Sequence, residues 1–181
     1  MKDLHGKVAV ITGGGSGIGR SLAHAFAAQG MKVVLADIDE ISMRAVEAEL
    51  AEGGTEVLPV VCDTSLEASV HALAQATLDR FGAAHVLCNN AGVAGKVDPW
   101  SGPMSAWEWV VGINLYGVVH GIQPGERGDV PGGEVLDVDV VAHPRAVGCR
   151  VVAAEDRQLL AAPYGHLGQV GLVLRPHALA Q

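Results

Sequence analysis

Lys7-Val8-Ala9-Val10-Ile11-Thr12 is a short, largely β-branched run that ends abruptly in Gly13-Gly14-Gly15-Ser16-Gly17-Ile18-Gly19. The next stretch, Arg20 to Ala28, is rich in Ala and reads as a helix. Strand, glycine turn and helix in that order build an anion site. The glycines let backbone approach a pyrophosphate, and the helix N-terminus offers N–H groups without intrahelical partners. Glycines alone would say only that the chain turns. The strand before them and the helix after them are what point to a dinucleotide.

The same alternation continues. Lys32 to Asp37 reads as a second strand and Glu40 to Glu52 as a helix stopped by Gly53-Gly54. Glu56 to Asp63 reads as a third strand, with Pro59 arguing against an interior place in a sheet. Thr64 and Ser65 are suited to cap a helix from Leu66 to Phe81, which Gly82 would close. Ala84 to Cys88 reads as a fourth strand, and after a loop with Pro99 and Pro103 a long helix spans about 105–122. Near-continuously apolar strands separated by helices predict an α/β fold: a Rossmann-like, doubly wound parallel sheet covered on both faces. That sheet is expected to be incomplete at its C-terminal half.

Composition narrows the partners. A formal net charge of −8 argues against nucleic acid and anionic membrane. No apolar run is long enough to span a bilayer, and no His-x-x-x-His pair suggests a metal. Cys62, Cys88 and Cys149 are odd in number and far apart, as expected of reduced thiols in a cytoplasmic protein.

Asp37 closes the second strand, about twenty residues beyond the glycines. A carboxylate there can accept hydrogen bonds from an adenosine ribose and repels a 2′-phosphate, which favours NAD over NADP. A plain strand-end turn residue is the alternative reading. Arg20, although beside the turn, reads as a solvated helix residue.

Thr12-Gly13-x-x-x-Gly17-x-Gly19, Asp37, Asp63, Asn89-Asn90-Ala91-Gly92 and Asn114 occur in the order and spacing of the short-chain dehydrogenase/reductase family, which the chain resembles from about Leu4 to Ile122. The resemblance implies an NAD(P)-dependent oxidoreductase acting on a carbonyl or secondary alcohol, with a small-molecule substrate. It implies coenzyme contacts from Thr12, Gly13, Ser16, Gly17, Ile18, Gly19, Asp37, Asp63, Asn90, Ala91 and Gly92. By the same resemblance Asn114 is the catalytic candidate, helping to hold a proton-relay water, and the 105–122 helix can form a homo-oligomer interface.

The family also uses a Ser and a Tyr-x-x-x-Lys pair, whose cation makes the phenol a usable base. This chain has no Ser after Ser105 and no Lys after Lys96. Its two tyrosines, Tyr116 and Tyr164, are followed four residues on by His120 and Gly168. A catalytically silent NAD-binding or dimerising protein, or a non-functional truncated product, is therefore the alternative function.

The residues divide into an NAD-binding region, 1–122, and a tail, 123–181. The tail contains no Ser, Thr, Asn, Lys, Ile, Met, Phe or Trp. Apart from Cys149 and Tyr164, its residues all belong to the set whose codons begin with G or C. A folding constraint would not exclude Ile while admitting Val and Leu, so the tail reads as out-of-frame translation or, alternatively, as a divergent C-terminus. Within it, Glu134 to Val141 alternates enough to form a strand, and Glu155 to Ala162 could be a short helix.

Overall fold

The computed structural model describes residues 4–95, 98, 100–126 and 136–137. Strand β1 (Val8–Thr12) leads through the glycine turn into α1 (Gly17–Ala28). Then come β2 (Lys32–Asp37), α2 (Glu40–Glu52), β3 (Val57–Val61), α3 (Glu67–Phe81) and β4 (Val86–Cys88). The long C-terminal helix is continuous over α4 (Met104–Val111), a π-helical turn (Gly112–Tyr116) and α5 (Gly117–Glu126). Two residues, Leu136–Asp137, form β5.

All pairings are parallel, and the strand order is β3-β2-β1-β4-β5. This is a Rossmann-like sheet. The chain moves outward from β1 to β3 and then crosses back to β4 on the other side of β1. The crevice at the C-terminal ends of β1 and β4 is thus the switch point where such folds bind ligands.

The two-residue period of β1 explains both layers. Ala9 and Ile11 face one side and pack with Leu22, Ala23 and Phe26 of α1 and Met43, Val46 and Leu50 of α2. Val8 and Val10 face the other side and pack with Val34, Ala36 and Cys62, and with Val70 and Leu73 of α3. Every residue of β1 is buried. A strand covered on both faces has no place for a polar side chain except at its end, where Thr12 stands.

Pro59 lies on β3, opposite Leu35 of β2. Because β3 is the outermost strand on its side, the missing N–H costs no ladder bond there. The helix after β3 begins differently from the sequence expectation. Its N-cap is Leu66, with no side-chain cap, rather than Thr64 or Ser65. The Ser65 hydroxyl instead donates to the Asp63 carboxylate at 2.7 Å, and Ser69 Oγ accepts the Asp63 N–H at 3.1 Å. A short hydroxyl side chain has local partners on either side, and here the preceding carboxylate holds it. At the other end Gly82 adopts φ 76° and closes α3 as expected.

Cys62 and Cys88 are buried. No helix of the described residues is long and apolar enough to cross a membrane. Cys149, Tyr164 and the 155–162 stretch lie outside the described residues, as does 134–141 except for Leu136–Asp137.

Candidate coenzyme-binding site

Thr12 is the hub of the site. Its hydroxyl donates to the Cys88 carbonyl at 3.2 Å and accepts the backbone N–H groups of Asn90 and Ala91, each at 3.0 Å. Asn90 returns the connection: its Nδ2 donates to the carbonyls of Thr12 at 2.8 Å and Gly13 at 3.3 Å. One hydroxyl and one amide thereby tie the end of β1 to the segment leaving β4, across 76–79 residues of sequence.

Close approach explains the glycines. Gly13 has φ 66°, and a Cβ there would meet Asn90 Nδ2 at 2.9 Å and Ala91 Cα at 3.0 Å. Gly19 is buried, and a Cβ on it would overlap the Gly13 carbonyl oxygen. Ser16 and Gly17 are exposed at the tip of the turn, with Gly17 at φ 50°. Ile18 points the other way and packs on the α1–α2 side of the core. Ser16 is the N-cap of α1 but supplies no side-chain cap, and the first turn contains no acidic residue. The positive end of α1 is thus left open to an anion.

Asp37 is half-buried beside this turn. Its Oδ2 accepts the Gly15 N–H at 2.9 Å and its Oδ1 the Asp39 N–H at 3.0 Å. Each oxygen keeps a lone pair for a further donor. Asp39 in turn caps α2, accepting the N–H groups of Ile41 and Ser42. Arg20 lies outside the site: it pairs with Glu49 through Nε at 2.9 Å and Nη2 at 3.0 Å. Hydrogen bonds from Arg20 and then His24 hold the Glu49 carboxyl below its usual range.

Asp63 stands at the end of β3, where its carboxylate accepts the N–H and hydroxyl of Ser65. Gly92 brings the chain toward Asn114, close enough that a Cβ would lie 3.5 Å from the Asn114 Oδ1. Asn114 sits in the π-helical turn and clamps one residue twice. Its Oδ1 accepts the Val93 N–H at 2.8 Å and its Nδ2 donates to the Val93 carbonyl at 2.9 Å. Donor and acceptor are both engaged, with one N–H and one lone pair left over. Replacing Asn114 by Ala is expected to speed amide exchange at Val93 roughly fivefold to tenfold, as expected for about 1 kcal/mol of lost bonding. Hydrogen–deuterium exchange followed residue by residue measures it, and unchanged exchange would show that the clamp does not hold the segment.

Residues that the sequence pattern did not single out support Asn114. Gly112 faces Ser65, Gly117 faces Thr64, whose Oγ1 would lie 3.0 Å from a Cβ placed there, and Gly121 lies directly against the Asn89 side chain. Five residues separate the first pair and four the second. In an unbroken α-helix a five-residue step rotates away from the packed face, and the wider π-helical turn restores it. The His120 Nδ1–H adds a bond to the Thr64 carbonyl at 2.9 Å. The glycine spacing was the available signal.

A glycine cradle at a switch point, an open helix N-terminus and a carboxylate at the end of the second strand together have the form of a Rossmann-type half-site. Residues 7–142 match the family model for short chain dehydrogenases, and the chain belongs to that family. It is 44% identical over 114 residues to an uncharacterized oxidoreductase of Thermotoga maritima, covering 63% of this chain and 44% of that protein. It is 42% identical over 120 residues to levodione reductase of Leifsonia aquatica, covering 65% and 45%. Among solved structures, a short chain dehydrogenase/reductase from Burkholderia phymatum in complex with NAD superposes with a TM-score of 0.71 at 42% identity, over 76% of this chain and 50% of that one. The chain spans less than half the length of those two curated relatives.

Proposed function

We propose that this chain binds NAD through the adenosine side of the coenzyme and is the coenzyme-holding portion of an oxidoreductase acting on a carbonyl or secondary alcohol. The observation that carries the reading is the Asp37 carboxylate, aimed by two backbone N–H groups beside the glycine turn. Bound NAD supplies a hydride acceptor at its nicotinamide ring. The chain's own part is to receive the pyrophosphate at Gly13–Gly19 and the N-terminus of α1, and the ribose hydroxyls at Asp37. Asp63, Asn90, Ala91 and Gly92 border the same crevice in this reading, and Asn114 holds the wall behind it. The small-molecule substrate and the cytoplasmic setting belong to the same proposal. So does a second copy of the chain on the α4–α5 face, where Trp107, Trp109, Leu115, Tyr116 and Val119 are exposed.

The test is a titration of the full chain with NAD and NADP, alongside Asp37→Asn. Asn keeps the shape but places an NH₂ group against either the Gly15 or the Asp39 N–H, whichever way it is turned. NAD affinity is expected to fall roughly 10- to 100-fold, the worth of hydrogen bonds to a charged acceptor, and the preference over NADP to narrow. A parent chain that binds neither coenzyme overturns the reading.

The missing Ser and Tyr-x-x-x-Lys elements favour a second reading, a chain that binds NAD without turning it over. Loss of positioned proton transfer alone costs about 10²–10⁴ in rate. Formation of reduced coenzyme with a panel of secondary alcohols separates the two readings.

A further inference from the structure

The β1–β4 seam has a second end, away from the coenzyme cradle. There the His85 N–H donates to the Val8 carbonyl at 2.9 Å, and the ladder between the two strands stops. The Val8 N–H points to the same side and has no strand residue to receive it. The His85 ring turns back to take it, with Nδ1 as acceptor at 3.1 Å. Imidazole can accept at Nδ1 only when that nitrogen carries no proton. Histidine is also the side chain that ordinarily changes charge between about pH 5 and 8.

We propose that His85 is an acid-sensitive latch on the β1–β4 seam: neutral, it completes the ladder at Val8, and protonated, it sets a donor against the Val8 N–H and releases that end. Burial, and then the charge of Lys7, hold the ring's pKa below its ordinary value. Among the described residues, the charged groups flanking the seam on its β2 and α3 side pair with one another. Lys32, opposite Val8 on β2, is bound to Glu56 at 2.9 Å. Arg80, ending α3, reaches the same Glu56 at 3.5 Å. On the other flank of β4, Asp137 of β5 is level with Leu87, beyond Val86.

The sign follows from linkage. The unfolded chain takes up the proton first as pH falls, so the latch contributes its stability in full above about pH 6.5 and loses it as pH drops through the folded value. The folding equilibrium constant falls up to tenfold for each unit between the two values. Other histidines share the chain, with His24 and His71 standing beside the carboxylates of Glu49 and Glu67. A difference between variants is therefore needed, not the raw slope.

The experiment is urea unfolding of the full chain across that pH range, for the parent, His85→Asn and His85→Leu. Asn accepts at every pH and Leu at none, so both variants are expected to lose the acid-dependent component, with Leu less stable throughout. In the parent, NMR is expected to show Nδ1 unprotonated at neutral pH. The Val8 amide resonance is then expected to move with the same midpoint as the ring, below the ordinary histidine value. A ring that titrates at or above that value, or a Val8 amide that ignores the titration, overturns the latch. So does an Asn variant that keeps the full acid slope. The NMR readings decide the matter alone if neither variant folds.

Discussion

Gly19→Ala is expected to lose NAD binding beyond detection and to cost about 3 kcal/mol or more of stability, the upper range for overpacking. The added methyl would overlap the Gly13 carbonyl oxygen and lie 2.7 Å from Asn90 Nδ2. Neither atom can yield cheaply. The carbonyl is backbone in the turn that receives the pyrophosphate in our reading, and the amide is bonded to Thr12 and Gly13. The nearest relief is to move the first turn of α1 away from β1, and that widens the cradle. Denaturant unfolding and coenzyme titration read the two effects separately. Gly53→Ala is the control, since a Cβ there meets only the Leu50 carbonyl at 3.4 Å and φ is −80°. A Gly19 variant that unfolds and binds like the parent would show that the turn is far looser than its contacts imply.

Thr12→Val is the second large effect, and it is chemical rather than steric. Valine has the shape of threonine, so no cavity opens. The hydroxyl's three bonds vanish together: the Ala91 N–H loses its acceptor, while the Asn90 N–H, shared between the hydroxyl and the Cys88 carbonyl, keeps the carbonyl at 2.9 Å. One donor stranded near the core costs about 1–3 kcal/mol, and the lost half of the shared Asn90 bond adds to it, so a loss of roughly 2–3 kcal/mol is expected. Thr12→Ser keeps the hydroxyl and should recover most of it. Urea midpoints of the three chains measure this. If Val and Ser lose equally, the methyl packing and not the hydroxyl is what Thr12 provides.

The Gly13–Gly19 turn and Asp37 were legible in the sequence because each answers a local demand: close approach, or a carboxylate at a strand end. Pro59 was legible in the same way and sits on an edge strand. The bonds that make these residues a site were not. Thr12 and Asn90 are joined only when β4 lies beside β1, and no periodicity in either segment announces that pairing. The cap of α3 was misplaced because Thr64 and Ser65 satisfy a helix N-terminus as readily as an Asp63 turn, and only tertiary packing decides. Asn114 as a residue came from family resemblance, while its hold on Val93 needs the π-helical turn. That turn could have been sought in the five-residue gap between Gly112 and Gly117. His85 carried no signal at all, since its role lies in a backbone group from a distant strand.

The Thr12–Asn90 connection also constrains the order in which the polypeptide acquires its shape. Its two sides are separated by 78 residues, and β2, α2, β3 and α3 lie between them in the chain. Closing so large a loop early is entropically disfavoured. The β1–β2 unit, whose partners are near in sequence, is placed to assemble first, and the anion cradle closes only when Asn90 arrives. On the ribosome, the glycine turn would therefore wait unfinished until the segment after β4 has emerged.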